Sequence, residues 1–425
     1  MMRTGFDAVI IGAGPAGSSA AILLARAGWS VALIEKQTFP RRKVCGECIA
    51  ASNLPLLDAL GIGAAFEAVA GPELRKVALM HGDCQAVADL PPAAHERFRW
   101  GRALGRETLD TLLLEQARSA GAEVLQPWSV QAITGVIGDW CCRVRAVDSN
   151  VEMLLHAQVM IAAYGSWDAL PSARLQRRLA RGASDLFAFK ANFRNTSLAE
   201  GLLPVLMFEG GYGGMVVADD GVTTMACCVR RDRLEAARRK LPGVRAGDVV
   251  EALLLRECGG VRAALQAAAR DEPWLAAGPL DPGIRLRDDD DLLRIGNAAG
   301  EAHPIIGEGM SMALQSAWLL CALLLGTHRG PGPVDAAWLR DVGRRYAEQW
   351  RREFSPRLRL AAAFAHLAMQ PACAASLAAL CSAWPGLLTL GAIWSGKNCS
   401  VPGEEVQKKL LLYGAKTKLA SQPES

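Results

Sequence analysis

The stretch that decides the fold is Asp7–Glu35, DAVIIGAGPAGSSAAILLARAGWSVALIE. Four apolar residues, Ala8 to Ile11, run into Gly12-x-Gly14-x-x-Gly17. An Ala/Leu-rich stretch follows, then a second apolar run that stops at Glu35. The order is strand, glycine turn, helix, strand, acid, and each part has a physical task in binding a dinucleotide. Gly12 permits a tight turn, Gly14 lets the backbone approach a pyrophosphate, and Gly17 lets the helix pack close to the strand. Pro15 and Ala16 open the helix, whose free N–H groups and positive dipole end suit phosphates. Glu35, 18 residues after Gly17, can accept hydrogen bonds from ribose hydroxyls, with Lys36 beside it.

The rest of the chain sets the frame. Its 425 residues suit two or three domains. A hydrophobic share of 51% and a charged share of 21% describe a globular chain with a large core. A net charge of +4, with arginines scattered and no basic stretch interleaved with aromatics, argues against nucleic acid binding. The 12 cysteines are not at metal-ligand spacings, and reduced thiols in a cytoplasm are the simpler reading. No run of ~18 uninterrupted apolar residues exists to span a bilayer. The Leu358–Ile393 stretch is apolar but broken by His366, Pro371 and Pro385. It reads as a packed helical tail and leaves room for a peripheral membrane contact.

Along the chain, a basic loop, Phe39-Pro40-Arg41-Arg42-Lys43, leads to Val44-Cys45-Gly46-Glu47-Cys48-Ile49 and a helix over 53–60. Residues 74–104 read as short strands. Arg106–Ala120 has Leu109, Leu112 and Leu113 at helical spacing and is stopped by Gly121. A strand begins at Glu123–Leu125. Trp140–Val147 and Val151–Val159 read as a hairpin leading into a buried strand, 159–163. Residues 182–230 alternate as strands of a second sheet, and 231–275 read as helical. Asp288–Asp291 reads as a solvated turn and Leu292–Ile295 as a short strand. A helix spans Gly309–Leu325, and helices continue from 333 to about 395. The fold class is therefore α/β, α+β overall: a Rossmann-like domain from 1–74, 101–181 and 280–330, a mostly antiparallel substrate sheet from 75–100 and 182–279, and a helical region, 331–425.

A second strand–glycine turn–helix lies far from the first, in LLRIGNAAGEAHPIIGEGMSMALQSAWLL, 292–320. With Gly12-x-Gly14-x-x-Gly17 and Glu35, with Gly105-Arg106-x-x-Leu109-Asp110, and with Gly296-Asn297-Ala298-Ala299-Gly300, Pro304 and Gly307-x-Gly309, the chain resembles a large family of FAD-dependent oxidoreductases. That family includes para-hydroxybenzoate hydroxylase, geranylgeranyl reductases and flavin-dependent halogenases. The resemblance implies FAD as cofactor, Glu35 on the adenosine ribose, and Arg106 near the pyrophosphate and flavin. It implies Gly296, Asn297 and Ala298 along the ribityl–pyrophosphate part, and Pro304 beside the isoalloxazine. The backbone of Gly307, Glu308 and Gly309, with Met310 next, would face the flavin at a helix start, where the dipole stabilises negative charge on reduced flavin. Asn297 stands where the family pattern has Asp, and Tyr164-Gly165 where the hydroxylases have Asp-Gly.

Two readings compete at Cys45-Gly46-Glu47-Cys48: a flavin-proximal loop in which Cys45 and Gly46 line the site, as in the geranylgeranyl reductases, and a redox-active dithiol. Arg42 reads either as part of a solvated basic turn or as a contact to pyrophosphate or nicotinamide phosphate, and His303 reads first as a structural hydrogen-bonding residue and otherwise as a general acid or base. No second nicotinamide-type domain exists, so NADH or NADPH would dock transiently. The resemblance implies an NAD(P)H-dependent monooxygenase acting on an apolar aromatic or polyketide-like molecule through a C4a-hydroperoxyflavin. The alternative is a reductase of isolated double bonds. Halogenation is disfavoured because the halogenase lysine and Trp-x-Trp-x-Ile-Pro segment are missing, and a flavin-binding protein without turnover stands as a third class.

Overall fold

A computed structural model describes residues 3–166, 182–286, 291–327 and 334–394. The stretch over Asp288–Asp291 thus falls largely outside the described residues. Gly5–Ile11 is flanked by Val31–Ile34 on one side and Glu152–Ala162 on the other, both parallel to it. Glu123–Leu125 extends the sheet beyond Val31–Ile34, and Leu293–Arg294 joins the far end of Glu152–Ala162, again in parallel. These strands are apolar on both faces because both faces are covered: helices pack on the side of Ala8, Ile10, Val31 and Leu33, and strands Trp128–Val136 and Asp139–Ala146 pack over Val9, Ile11, Ala32 and Ile34; all four residues of Val31–Ile34 are buried.

Three parallel strands therefore end side by side. Each is followed by a sharp bend: Gly12 after the first, Tyr164–Ser166 after Glu152–Ala162, and Gly296 after Leu293–Arg294. Backbone bonds continue the register past the strand ends, with Gly12 N–H donating to Ile34 O (2.8 Å), Ala163 N–H to Ile11 O (2.8 Å) and Ile295 N–H to Ala162 O (3.0 Å). The crevice outside the carboxyl ends of such strands is where open α/β sheets bind ligands. The helices Pro15–Arg26 and Gly309–Thr327 leave this edge and share the largest apolar core. Small residues on Pro15–Arg26 permit the approach, and the residues from Pro15 to Leu24 are all buried.

The expected hairpin is a three-stranded meander, since Trp128–Val136 pairs with Asp139–Ala146 as well. The polar exposed face of Trp128–Val136 hid it. Glu152–Ala162 is one continuous strand, pairing first with the meander and then with Leu293–Arg294.

The second sheet runs Ala269–Arg270, Leu186–Arg194, Thr223–Arg230, Gly211–Val217, Leu202–Phe208, Lys76–His81 and Cys84–Asp89, antiparallel except between Leu202–Phe208 and Lys76–His81. Residues 231–275 are helical only in part. Helices Arg231–Lys240, Ala246–Glu257 and Gly259–Ala264 give way to Ala269–Arg270 and Leu275–Ala277, which both pair with Leu186–Arg194. Beyond residue 334 come the long helix Ala336–Met369 and two short ones, Pro371–Ala383 and Gly386–Trp394. The window Gly309–Gly326 is long and apolar enough to cross a membrane, but 78% of it is buried as the core helix between the first helix and the long helix.

Candidate active site

One cavity of about 430 Å³ lies between the carboxyl edge of the parallel sheet and the second sheet. At its nucleotide end stand Gly12, Gly14, Pro15, Ala16, Glu35 and Lys36. The middle is formed by Cys45, Gly46, Arg106, Gly296 and Asn297. Pro304, Gly307, Gly309 and Met310 close one side. The two glycine bends touch: a Cβ on Gly296 would lie 3.0 Å from Ala16 Cβ.

The glycines fall into two kinds. A Cβ on Gly12, whose φ is +103°, would lie 2.6 Å from Ala163 O, and one on Gly17 would lie 1.8 Å from Gly12 O. Those two serve the chain's own packing. A Cβ on Gly14 would meet only the Arg41 and Arg106 guanidinium nitrogens, at 3.8 Å; one on Gly46, Gly307 or Gly309 would meet nothing within 4 Å. Those four keep open space where helix N-termini and loops border the cavity. This is a cradle suited to a dinucleotide's pyrophosphate and ring edge, and the residues present fit FAD.

Charges along the wall are held by partners. Glu35, buried, accepts from the N–H groups of Ala13 (3.0 Å) and Gln37 (2.9 Å) and from Arg41 Nη1 (2.9 Å). Arg106 makes a two-pronged pair with Asp110, 2.7 Å in each prong. Burial alone would weaken its charge, but Asp110 and the Cys45 sulfur more than offset this and hold the guanidinium protonated. Glu47, at the left-handed φ of +57°, pairs with the buried Lys190, accepts from Arg106 N–H (2.9 Å), and accepts from Thr224 Oγ1 (2.6 Å). This one side chain ties the cysteine loop to two strands of the second sheet and to the Arg106 helix. Glu301 pairs with Arg285 (2.6 Å) and accepts from Ser166 Oγ (2.9 Å), which itself accepts from Asn297 Nδ2 (2.8 Å). At the two positions where the family carries Asp, the chain has an amide and a phenol. Glu301 is the carboxylate hydrogen-bonded into that place, and Tyr164 Oη instead accepts from Arg294 (2.6 Å).

The start of the Gly309–Thr327 helix is pinned from behind. Asn53 Nδ2 donates to Ser311 Oγ (2.8 Å) and Gln315 Nε2 to Asn53 Oδ1 (2.9 Å), while Arg357 of the long helix donates to Gln315 Oε1 (3.0 Å). The first-turn N–H groups of this helix are thereby held toward the cavity.

Five of the expected residues do not reach the cavity wall. Gly17 is inside the helix–strand contact. Ala298 is buried behind the bend. The Glu308 side chain is buried 3.4 Å from Arg357, which leaves its backbone for the expected role. Arg42 turns away to Glu272 and Glu107; its neighbour Arg41 takes the wall, stacked on Phe39 (4.4 Å to the ring centre) and bound to Glu35. An irregular loop has no period, so the sequence could not say which arginine faces in. His303 lies behind the wall, its Nδ1 3.2 Å from the hydroxyl of Tyr212. Burial, with His366 nearby, pulls its pKa down to about 4, so it is a neutral imidazole at pH 7.

The remaining wall comes from the second sheet: Ala188, Phe189, Val205, Tyr212, Met215 and Cys228, joined by Leu280 and Ile305. It is apolar. Burial pushes Cys228 up to about 12 and Cys227 well above its ordinary value, so both are un-ionised thiols. Sequence analysis missed this wall because alternation marks a strand, not which of its faces meets a ligand. Cys45 and Cys48 both border the cavity and are not joined in a disulfide.

The FAD-binding-domain family model matches residues 5–336, so the chain belongs to that family. Among curated relatives, conditioned medium factor receptor 1 of Dictyostelium discoideum is 27% identical over 75% of this chain and 63% of its own length. Menaquinone reductase of Mycolicibacterium smegmatis is 27% identical over 85% of both chains. Of solved structures, the myxobacterial chondrochloren halogenase CndH shares the fold at TM-score 0.72 and 18% identity, over 97% of both chains. Pseudomonas aeruginosa PqsL, in complex with 2-aminobenzoylacetate, does so at TM-score 0.68 and 19% identity, over 88% of this chain and 99% of its own.

Proposed function

We propose that this enzyme is an NAD(P)H-dependent monooxygenase that hydroxylates an apolar aromatic or polyketide-like small molecule. The observation that carries this reading is the contrast along the cavity. Its nucleotide end is lined by open glycines and helix N-termini, while its sheet end is apolar and its carboxylates Glu35, Glu47 and Glu301 are each engaged by a cation. Bound FAD supplies hydride acceptance and oxygen activation; few polar side chains are then required. The chain's own part is positional. Arg106 and the Gly309–Thr327 helix start favour negative charge on the ring system. The second sheet excludes water from the reacting face, and the Glu47–Lys190 pair holds the cysteine loop against that sheet. PqsL, of like fold, was solved with an aromatic β-ketoacid, which agrees with an aromatic substrate.

The test is NADH and NADPH consumption by the purified holoenzyme with a panel of apolar aromatics, in the presence of chloride and bromide. Oxygen-dependent consumption with incorporation of one atom from labelled dioxygen into product is expected. A halogenated product, or turnover undiminished without oxygen, would overturn it.

A second reading, reduction of an isolated double bond in a prenyl-type molecule, draws on the mycobacterial menaquinone reductase, which matches over 85% of both chains. Anaerobic consumption of reduced flavin by an alkene would favour it.

A further inference from the structure

We propose that the two terminal helices, Pro371–Ala383 and Gly386–Trp394, seat the enzyme on an anionic lipid bilayer, so that its apolar substrate enters from the membrane. The first observation is electrostatic. From Pro371 to Trp394 the sequence has no Asp, Glu, Lys, Arg or His, yet most of the stretch is on the surface. Within the helix Pro371–Ala383 only Ala374, Ala378 and Cys381 are buried. A surface helix of a protein surrounded by water ordinarily shows a charged outer face.

The second observation is where large apolar side chains are exposed. Leu380 (42%), Trp384 (64%), Leu387 (37%), Leu390 (47%) and Ile393 (42%) crowd these two helices, and Leu367 (45%) adjoins them at the end of the long helix. Among the described residues the other exposed large apolar side chains are spread over loops, strands and one helix end. A concentrated patch of this kind marks an interaction surface, and a Trp among leucines suits the interfacial layer of a bilayer.

The third is continuity. The inner face of Pro371–Ala383, through Ala374, Ala378 and Cys381, with Leu388 of the second helix packed against it, shares one apolar cluster with Ala188, Tyr212 and Cys228, and those last three residues line the cavity. Patch and substrate wall are thus two sides of a single apolar layer.

Charge selects the occupant. An acidic carrier domain would need a basic face, which these helices lack. The chain continues past Trp394 with Lys397, Lys408, Lys409, Lys416 and Lys418 against Glu404, Glu405 and Glu424. A lysine-rich sequence adjoining an apolar patch is the charge pattern that anionic headgroups attract. Its one apolar run, Leu410–Tyr413, is too short to cover six exposed residues. Only the direction of substrate delivery rests on the apolar-substrate reading; the docking itself does not.

The test is vesicle flotation of the full-length holoenzyme, with phosphatidylcholine alone and with phosphatidylglycerol added. Expected is a bound fraction at least tenfold higher on the anionic vesicles, abolished by Trp384→Glu with Leu390→Glu. FAD content and NADH oxidation with a soluble substrate should be unchanged in that variant. A chain ending at residue 394 should lose the preference for anionic vesicles. Equal flotation of wild type and double variant, or no flotation of either, overturns the proposal. A wild-type dimer made monomeric by the double variant, without flotation, assigns the patch to a second copy. Flotation that appears only in the truncated chain assigns it to the chain's own tail. Loss of NADH oxidation with flotation intact would instead bear on the reaction assigned above.

Discussion

A methyl group added at Gly17 would lie 1.8 Å from the Gly12 carbonyl oxygen, whereas at the other end of the same cavity Val205, Met215 and Ile305 present the ligand with apolar surface alone. At the nucleotide end, residue identity is dictated by backbone geometry. At the sheet end, many apolar side chains would make an equally dry wall. The first region can be altered only at a cost to folding or cofactor binding, and the second sets which molecule fits without a single indispensable side chain.

The largest expected effect tests the backbone rule. Gly17→Ala forces the first helix off its strand, so the expected outcome is insoluble protein or a loss of roughly 4 kcal/mol or more, measured by denaturant unfolding. A variant of near-normal stability would mean that the helix–strand contact is looser than described. Next comes Lys190→Met, which leaves the Glu47 carboxylate buried without its cation. A cost of about 3–5 kcal/mol is expected, and the double variant Glu47→Gln, Lys190→Met should recover much of it. If the single and double variants are equally unstable, the pair is not what holds the cysteine loop to the second sheet. Gly14→Ala sharpens the comparison from within the motif. The backbone there, φ −72°, accepts any residue, and only the two guanidinium groups lie within 4 Å. Unfolding of the FAD-free protein should change by less than about 0.5 kcal/mol while FAD affinity drops at least about tenfold, a loss of about 1.4 kcal/mol in binding. Parallel losses in both would remove the distinction between packing glycines and cradle glycines.

The same distinction explains what could be read from the chain. Gly12, Gly14, Gly17 and Glu35 were legible because strand, turn and helix require them at fixed spacing. The meeting of the two glycine bends, at Ala16 and Gly296, follows from two strands, Gly5–Ile11 and Leu293–Arg294, that both flank Glu152–Ala162 in parallel. The choice between Arg41 and Arg42 was not legible, since loop residues carry no periodic signal. Nor was the Glu47–Lys190 pair, whose partners are 143 residues apart and meet only through tertiary packing. The apolar wall was visible as strands but not as a wall.

The smallest effect concerns His303, which the sequence left between a structural hydrogen bond and acid–base chemistry and which the structure sets behind the cavity wall. Its imidazole, held near Tyr212 and His366, has a pKa lowered to about 4 from 6.5, chiefly by burial. The unfolded chain therefore takes up a proton at this residue as pH falls through 6.5, and the folded chain does so only near 4. Stability contributed by the neutral form is intact above 6.5 and is lost progressively between 6.5 and 4. At 1.36 kcal/mol per unit, the loss at pH 5 is on the order of 1–2 kcal/mol. His303→Gln keeps a polar group opposite the Tyr212 hydroxyl but cannot titrate. Its melting temperature should fall less than that of wild type between pH 7 and pH 5, by a few degrees at most. Its NADH oxidation at pH 7 should stay within a few-fold of wild type. A large loss of turnover at unchanged stability would return His303 to the reacting centre, and with it the need for a movement that brings the imidazole through the Tyr212 wall.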